Sequence, residues 1–162
     1  MNTVIVCYSL EGHTRKVCQR VAEKLGATLV SLRCVKPYPT SGAAKYLRAS
    51  KDTLTGARPA LEPIASTQLG ACDLLILAAP CWAGKPAAPL NTFLAEHDLS
   101  GKRRAAIITC KAEGATEKYG KAIRSLCRLN TADPVLALSE GQIADDAALA
   151  SAVDAFCARC RD

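Results

Sequence analysis

The chain has 162 residues, of which 49% are hydrophobic, so it is long and apolar enough for one domain whose core needs no disulfide or metal ion. No apolar run approaches the roughly 20 residues that cross a bilayer, and residues 3–8 have the pattern of a strand instead of a signal peptide. The formal net charge of +6 comes mainly from residues 33–58, which hold six cationic side chains and one acidic one. We therefore expect a single cytoplasmic domain over residues 1–162, with no membrane segment.

Strand and helix patterns alternate from the first residues onward. Residues 4–8 form a short, continuous apolar run, which is typical of a parallel strand covered on both faces. Val17, Val21 and Leu25 then recur every four residues, as on the buried face of a helix that ends at Gly26. The elements predicted in the first half are a strand over residues 4–8, a helix over 13–25, a strand over 27–32 and a short helix over 42–55 within the irregular segment 37–63.

The second half of the chain continues the alternation. Residues 73–79 form the most hydrophobic strand pattern in the sequence. Because five strands alternate with helices and no internal repeat is present, the sequence predicts an α/β fold with a parallel sheet and right-handed crossovers. The remaining predicted elements are a helix containing Leu90, Phe93 and Leu94, a strand over 104–109, a helix over 116–128, a strand over 134–138 and a closing helix over 144–160.

The nine cysteines favour reduced thiols over a disulfide scaffold. Their number is odd, no export signal is present, and a free thiol in an apolar run packs as a small hydrophobic side chain. Cys157 and Cys160 have the spacing of a redox motif, but they end the last predicted helix, where the helix dipole does not stabilise a thiolate. We therefore predict no metal site and no catalytic residue. The cysteines in or beside apolar runs are Cys7, Cys18, Cys72, Cys110 and Cys127.

The sequence YSLEGHTR (residues 8–15) joins the first strand to the first helix. A tight turn at this point directs free backbone N–H groups and the positive end of the helix dipole at one place, which suits a phosphate. Gly12 permits close approach of the backbone, and the hydroxyl groups of Ser9 and Thr14 add donors. The spacing matches neither the three-glycine dinucleotide pattern nor the P-loop. The loop predicts a phosphate site, with an ordinary capped turn as the alternative.

A second distinctive segment, APCWAGKP (residues 79–86), follows the third strand, and PLNTFL (residues 89–94) comes next as a helix start. Together with the first loop it resembles the flavodoxin family, in which a strand precedes Ser/Thr-x-Thr-Gly-x-Thr and a Pro-x-Trp turn precedes a Pro-rich helix start. The resemblance spans essentially the whole chain. It implies a three-layer, doubly wound, flavodoxin-like fold with a five-stranded parallel sheet in the order 2-1-3-4-5.

The resemblance further implies flavin mononucleotide (FMN) as the cofactor, bound where the chain reverses direction between the first and third strands. Trp82, the only tryptophan, suits stacking against the isoalloxazine ring; the alternative is a core tryptophan that plugs the loop. Glu11 and His13 depart from the family pattern, and because a carboxylate repels a phosphate we expect Glu11 to point outward. Residues 109–115 supply no aromatic partner for the other side of the flavin. The residues expected to bind FMN are Ser9, Leu10, Glu11, Gly12, His13, Thr14, Pro80, Cys81, Trp82, Ala83, Gly84, Cys110, Lys111 and Gly114.

Three functions remain open from the sequence. The chain could carry electrons through bound FMN, act as an NAD(P)H-dependent FMN or quinone reductase, or serve as an interaction module with weak flavin affinity. The third requires a damaged site, whereas the phosphate loop and Trp82 are both present. Flavodoxin carriers usually expose the flavin within an acidic surface, whereas this chain is basic, which favours a reductase or an acidic partner.

The basic segment 33–58 leaves the second strand on the side where the FMN phosphate is expected. We expect Lys45, Arg48 and Lys51 to meet an acidic redox protein or the phosphates of NAD(P)H, with a solvated loop as the alternative. We expect no nucleic-acid or membrane partner, and a monomer and a homodimer both remain open.

Overall fold

Five parallel strands form the central sheet of the molecule. The computed structural model describes residues 1–65 and 69–162. Its strands are β1 (Thr3–Cys7), β2 (Thr28–Ser31), β3 (Leu74–Trp82), β4 (Lys85–Pro86), β5 (Arg103–Cys110) and β6 (Val135–Ser139). The parallel strands follow the order β2-β1-β3-β5-β6, and β4 pairs antiparallel with β3 beside this path. The predicted order 2-1-3-4-5 is confirmed for the five parallel strands, whereas β4 was not predicted.

Helices cover both faces of this sheet, as a three-layer fold requires. The described helices are α1 (His13–Leu25), α2 (Gly42–Thr55), α3 (Pro89–Glu96), α4 (Thr116–Leu126), α5 (Glu140–Ala144) and α6 (Asp146–Arg161). One apolar cluster joins Ile5, Ile76 and Ile107 of the sheet to α1, α5 and α6. A second cluster joins Leu75 and Ile108 to α2, α3 and α4 on the opposite face.

The strand β3 has an uninterrupted apolar sequence because both of its faces are covered. Residues 74–79 are at most 1% exposed, with Ile76 on the face of α1 and α6 and Leu77 on the opposite face. Burial of each leucine or isoleucine side chain contributes about 1.5–3 kcal/mol. With β1 on one side and β5 on the other, β3 is the central strand, so the ends of these three strands lie together.

The strand β3 continues three residues beyond its predicted end at position 79. Proline usually ends a central strand, but β1 ends opposite Ala78, so Pro80 lies beyond the last β1 pair. Trp82 then pairs with Lys85 across a two-residue turn. Ala83 and Gly84 both have positive φ, 47° and 81°, as the tight turn of a β-hairpin requires. The predicted Pro-x-Trp turn is therefore the end of a strand and the start of a hairpin.

The closing helix is also divided differently from the prediction. Ser139 begins α5 with a capping box, in which its hydroxyl accepts from Gln142 N and the Gln142 side chain accepts from Ser139 N. Asp145 interrupts the helix and caps α6 by accepting from the amides of Ala147 and Ala148. Serine followed three residues later by glutamine is a sequence pattern typical of such a helix start.

Two further findings concern the membrane segment and the redox motif that the sequence argued against. No helix within residues 1–65 and 69–162 combines the length and the apolar character needed to cross a bilayer. Cys157 and Cys160 are both 0% exposed and belong to the core between α6 and the sheet. They therefore pack as small apolar side chains.

Candidate functional site

A cavity of about 320 Å³ lies at the carboxyl ends of β1, β3 and β5. The loops that follow these strands form three of its sides, and α2 forms another. Ligand pockets measure about 300–1,000 Å³, so the volume is at the lower end of the usual range. In a sheet of this order the chain reverses direction between β1 and β3, and ligands bind in the crevice at that point.

Most of the residues that the sequence singled out meet around this one cavity. Gly12 and Gly114 do not line it: Gly12 forms the turn before α1, and Gly114 lies in the loop before α4. Contact of the lining residues with a cofactor stays a prediction. The predicted residues that line the cavity are Ser9, Leu10, Glu11, His13, Thr14, Pro80, Cys81, Trp82, Ala83, Gly84, Cys110 and Lys111.

Sequence reasoning missed the residues that reach the cavity from helices and from the strand end. Lys45 was expected on a docking surface, and Tyr46 was not singled out; both lie on α2 at the cavity. Their only sequence signal was the charge of segment 33–58. The lining residues that were not predicted are Lys45, Tyr46, Ala49, Ser50, Thr109, Ala112, Tyr119 and Glu140.

The loop before α1 presents backbone N–H groups at the positive end of the helix dipole. Gly12 has a φ of 97°, which favours glycine, and α1 begins at the next residue. Ser9 Oγ accepts from Gly12 N at 3.1 Å and from Arg15 N at 3.3 Å, and its own hydrogen has no acceptor among residues 1–65 and 69–162. The amides of Glu11, His13 and Thr14 make no hydrogen bond within the described part of the chain. The loop can therefore bind an anion through its backbone.

Glu11 lies at the cavity, so the prediction that it points outward is wrong. Its carboxylate contacts Lys45 Nζ, and Lys111 Nζ lies 3.8 Å from it. The physical reason is that two ammonium groups, one from α2 and one from the loop after β5, neutralise the carboxylate. Lys111 also donates to the Tyr46 hydroxyl at 3.3 Å. These contacts link three separate segments across the cavity.

Trp82 makes the packing contacts of a core tryptophan and also lines the cavity, and its stacking against a flavin stays a prediction. Its ring packs edge-on against Tyr8 and Tyr38, with centroid distances of 5.4 and 4.8 Å, and it also lines the cavity. Tyr38 is fixed in turn, because its hydroxyl donates to Asp52 Oδ2 at 2.6 Å and the Arg48 guanidinium lies 4.3 Å from its ring centroid. Trp82 thus rests on a rigid aromatic support and stays accessible from the cavity.

Arg48 was expected on a docking surface but makes internal contacts. Its guanidinium donates to Pro37 O at 2.7 Å and to Lys36 O at 3.1 Å. These contacts hold the segment between β2 and α2 against the helix. Through these hydrogen bonds Arg48 stabilises the wall of the cavity.

Two cysteines line the cavity, and neither is an activated nucleophile. Burial raises the pKa of the Cys81 thiol to about 11. Burial also raises the pKa of Cys110, and the carboxylates of Glu113 and Glu140 raise it further. Both thiols are therefore protonated near neutral pH. Only the deprotonated thiolate is a reactive nucleophile.

One group of potential metal ligands borders the cavity. Atoms of Glu11, His13 and Glu140 lie within 4.8 Å of one another, and His13 Nε2 is 3.8 Å from Glu140 Oε1. The ammonium groups of Lys45 and Lys111 lie against the same Glu11 carboxylate. Their positive charge opposes a cation there.

Comparisons with known proteins bear on the fold. No family model matches the sequence, and no curated protein does. A flavoprotein from Lactobacillus acidophilus, crystallised in complex with FMN, is similar with a TM-score of 0.66 and 19% identity, over 85% of this chain and 91% of that chain. The fold is flavodoxin-like.

Two flavodoxins extend this comparison to nearly the full length of the chain. A flavodoxin from the domain Archaea has a TM-score of 0.64 at 13% identity, over 99% of this chain and 97% of its own. Oxidised flavodoxin 1 from Bacillus cereus has a TM-score of 0.59 at 18% identity, over 98% of this chain and 96% of its own. Identities this low establish the arrangement of strands and helices only, so the ligand must be argued from the cavity.

Proposed function

We propose that this flavodoxin-like chain binds FMN in the cavity at the ends of β1, β3 and β5 and transfers electrons through it. The proposal rests on one observation. Segments that are distant in sequence and resemble flavodoxin loops converge on a single cavity at the switch point of the sheet. The similar protein from Lactobacillus acidophilus was crystallised in complex with FMN, which supports the same ligand here.

The donor set of the cavity fits both ends of this cofactor. The free amides of Glu11, His13 and Thr14 suit the phosphate, with the hydroxyl hydrogen of Ser9 as a further donor. Trp82 offers an aromatic surface for the flavin ring, and Leu10, Pro80 and Ala83 add apolar lining. Bound FMN would supply one-electron and two-electron redox chemistry, which no side chain here supplies. The protein would bind the cofactor, orient it and limit its contact with water.

We propose that the electron partner contacts the exposed surface of α2 beside the cavity. Tyr46, Leu47 and Leu54 are 57%, 71% and 61% exposed on this helix. Lys51 on the same helix and Lys36 before it are exposed cations. An apolar surface with a basic border suits a partner with an acidic border, and its charge disfavours pairing with a second copy of the same helix.

An NAD(P)H-dependent reductase is the second candidate. The observation in its favour is the basic surface beside the cavity, where the exposed Lys36 and Lys51 could meet the phosphates of a pyridine nucleotide. The two candidates share the flavin and differ in the electron donor.

The test of the proposal is reconstitution of the purified chain with FMN, followed by a visible spectrum and a fluorescence titration. We expect one FMN per chain, with quenching of the flavin emission by Trp82. The absence of saturable binding would refute the proposal. Stopped-flow mixing of the loaded protein with NADPH then separates the candidates, because only the reductase is reduced rapidly by the nucleotide.

A further inference from the structure

The side chains of Lys45, Glu11 and Lys111 form a continuous set of charges at the cavity. Glu11 lies between the two lysines, in contact with Lys45 Nζ and 3.8 Å from Lys111 Nζ. All three line the same cavity, although they come from the loop after β1, from α2 and from the loop after β5. The carboxylate is thus the anion of a site that two cations form.

Tyr46 keeps both ammonium groups at this place. The ammonium groups of Lys45 and Lys111 lie 5.2 and 5.3 Å from its ring centroid, and its hydroxyl accepts from Lys111. A cation over an aromatic ring is stabilised by the ring electrons. The position of the two lysines therefore has a support that is independent of Glu11.

Lys45 requires an anion nearby. Its side chain is only 12% exposed, and burial of a charged side chain favours a paired charge. The Glu11 side chain is 31% exposed and is carried by a loop, whereas Lys45 is carried by a helix. The carboxylate is therefore the partner that can move away most easily.

We propose that Lys45 and Lys111 form a phosphomonoester-binding site, which the Glu11 carboxylate fills in this structure and leaves when a phosphate enters. This inference rests on the proposed function, because the phosphate in question is that of FMN. Free amides of the same loop lie beside the site and would share the ligand. In the flavodoxin pattern a threonine hydroxyl stands at the position of Glu11. Here two lysines would replace that hydroxyl as donors.

The charges of the Glu11 carboxylate and the phosphate determine which of the two occupies the site. A phosphomonoester carries about −1.5 to −2 charges near neutral pH, whereas a carboxylate carries one. Two ammonium groups are therefore matched more closely by the phosphate than by Glu11. The phosphate also brings three acceptor oxygens, enough for both lysines and the backbone amides. The site consequently selects the phosphorylated flavin over riboflavin, and Glu11 sets how large that selection is.

The test is a comparison of FMN and riboflavin affinities in charge variants, measured by flavin fluorescence. Glu11→Gln removes the competing charge, and we expect it to tighten FMN by about tenfold while riboflavin changes little. Lys45→Met is expected to weaken FMN by about tenfold or more, and Lys45→Arg to restore most of it. Lys51→Met and Glu117→Gln are matched controls, since both residues are exposed and lie outside the cavity lining. Thermal melting of each variant verifies folding.

An equal change in FMN and riboflavin affinity in Glu11→Gln and Lys45→Met would overturn the inference while leaving FMN binding intact. If the unmodified chain bound neither flavin, the proposed function would fail, and inorganic phosphate would then serve as the probe. Acylation of Lys45 and Lys111, followed by mass spectrometry, is expected to slow when phosphate is added, and more strongly in Glu11→Gln. Unchanged acylation of both lysines would overturn the anion site itself.

Discussion

The hydroxyl of Thr14 at the start of α1 lies 2.8 Å from the hydroxyl of Thr109 near the end of β5. Both side chains are buried, with residue exposures of 1% and 3%, and both line the cavity. This hydrogen bond joins the helix that begins at the proposed phosphate site to a central strand of the sheet. Thr14 thus fixes the helix N-terminus in place, and its role as a donor to a phosphate stays a prediction.

We expect Thr14→Ala to lower the free energy of unfolding by about 1–2 kcal/mol, because it leaves the Thr109 hydroxyl buried without its partner. It should also weaken FMN more than riboflavin, since the change lies at the phosphate end of the cavity. Urea unfolding and flavin titrations measure the two effects. Thr109→Val is the matched control, and a double-mutant cycle with no coupling between the two positions would contradict the role of this bond.

Trp82→Ala should reduce both protein stability and flavin quenching. Loss of the ring removes its contacts with Tyr8 and Tyr38, which we expect to cost about 3 kcal/mol in the free energy of unfolding. It also removes the aromatic surface from the cavity, so FMN should bind more weakly and emit more brightly. Trp82→Phe retains packing and tests the flavin contact. Unchanged FMN affinity and emission in both variants would assign Trp82 to the core alone.

The stability of the folded chain should fall at alkaline pH. Burial raises the pKa of Cys81 to about 11 and the pKa values of Cys127 and Cys160 to about 12, from an ordinary 9.0. A raised pKa means that the folded state retains protons that the unfolded state has already lost. The stabilisation is therefore complete below about pH 9 and is lost as the pH rises towards 12.

Urea midpoints measured from about pH 7 to about pH 11 check this expectation. Cys127→Ala should show a shallower decline above the ordinary thiol pKa than the unmodified chain, although it is less stable at neutral pH. Identical slopes for the two proteins would show that this buried thiol does not contribute to the decline.

Charge reversal of Lys36 and Lys51 should slow electron delivery without altering the cofactor. Both are exposed, and Lys51 lies on α2 beside Tyr46 and Leu47. With an acidic donor at low salt we expect the rate of flavin reduction to fall by about tenfold and its salt dependence to flatten, since 0.1 M salt screens charges beyond about 10 Å. Stopped-flow absorbance measures the rate. Reversal of Arg20 and Arg159, on the opposite face, is the control, and an equal effect there would reject α2 as the docking surface.

The sequence alone determined the order of elements and the two loops that meet at the switch point. Buried parallel strands are apolar on both faces, so β1, β3 and β5 are visible as short apolar runs, and their alternation with helices predicts a parallel sheet. The order of the strands in the sheet came from the resemblance to flavodoxins. The loops were recognisable because turns require particular residues at particular spacings. Such signals are local, so they can be recognised in a sequence without knowing which residues are neighbours in space.

The tertiary structure alone decided how α2 and the charged side chains complete the cavity. Glu11 was expected to avoid the site because a carboxylate repels a phosphate. Lys45 and Lys111, however, approach the Glu11 carboxylate from two other segments and neutralise its charge at the cavity. Trp82 likewise has one role towards Tyr8 and Tyr38 and another towards the cavity. The energy of a charge or a ring depends on what surrounds it, and these surroundings come from residues far apart in the chain.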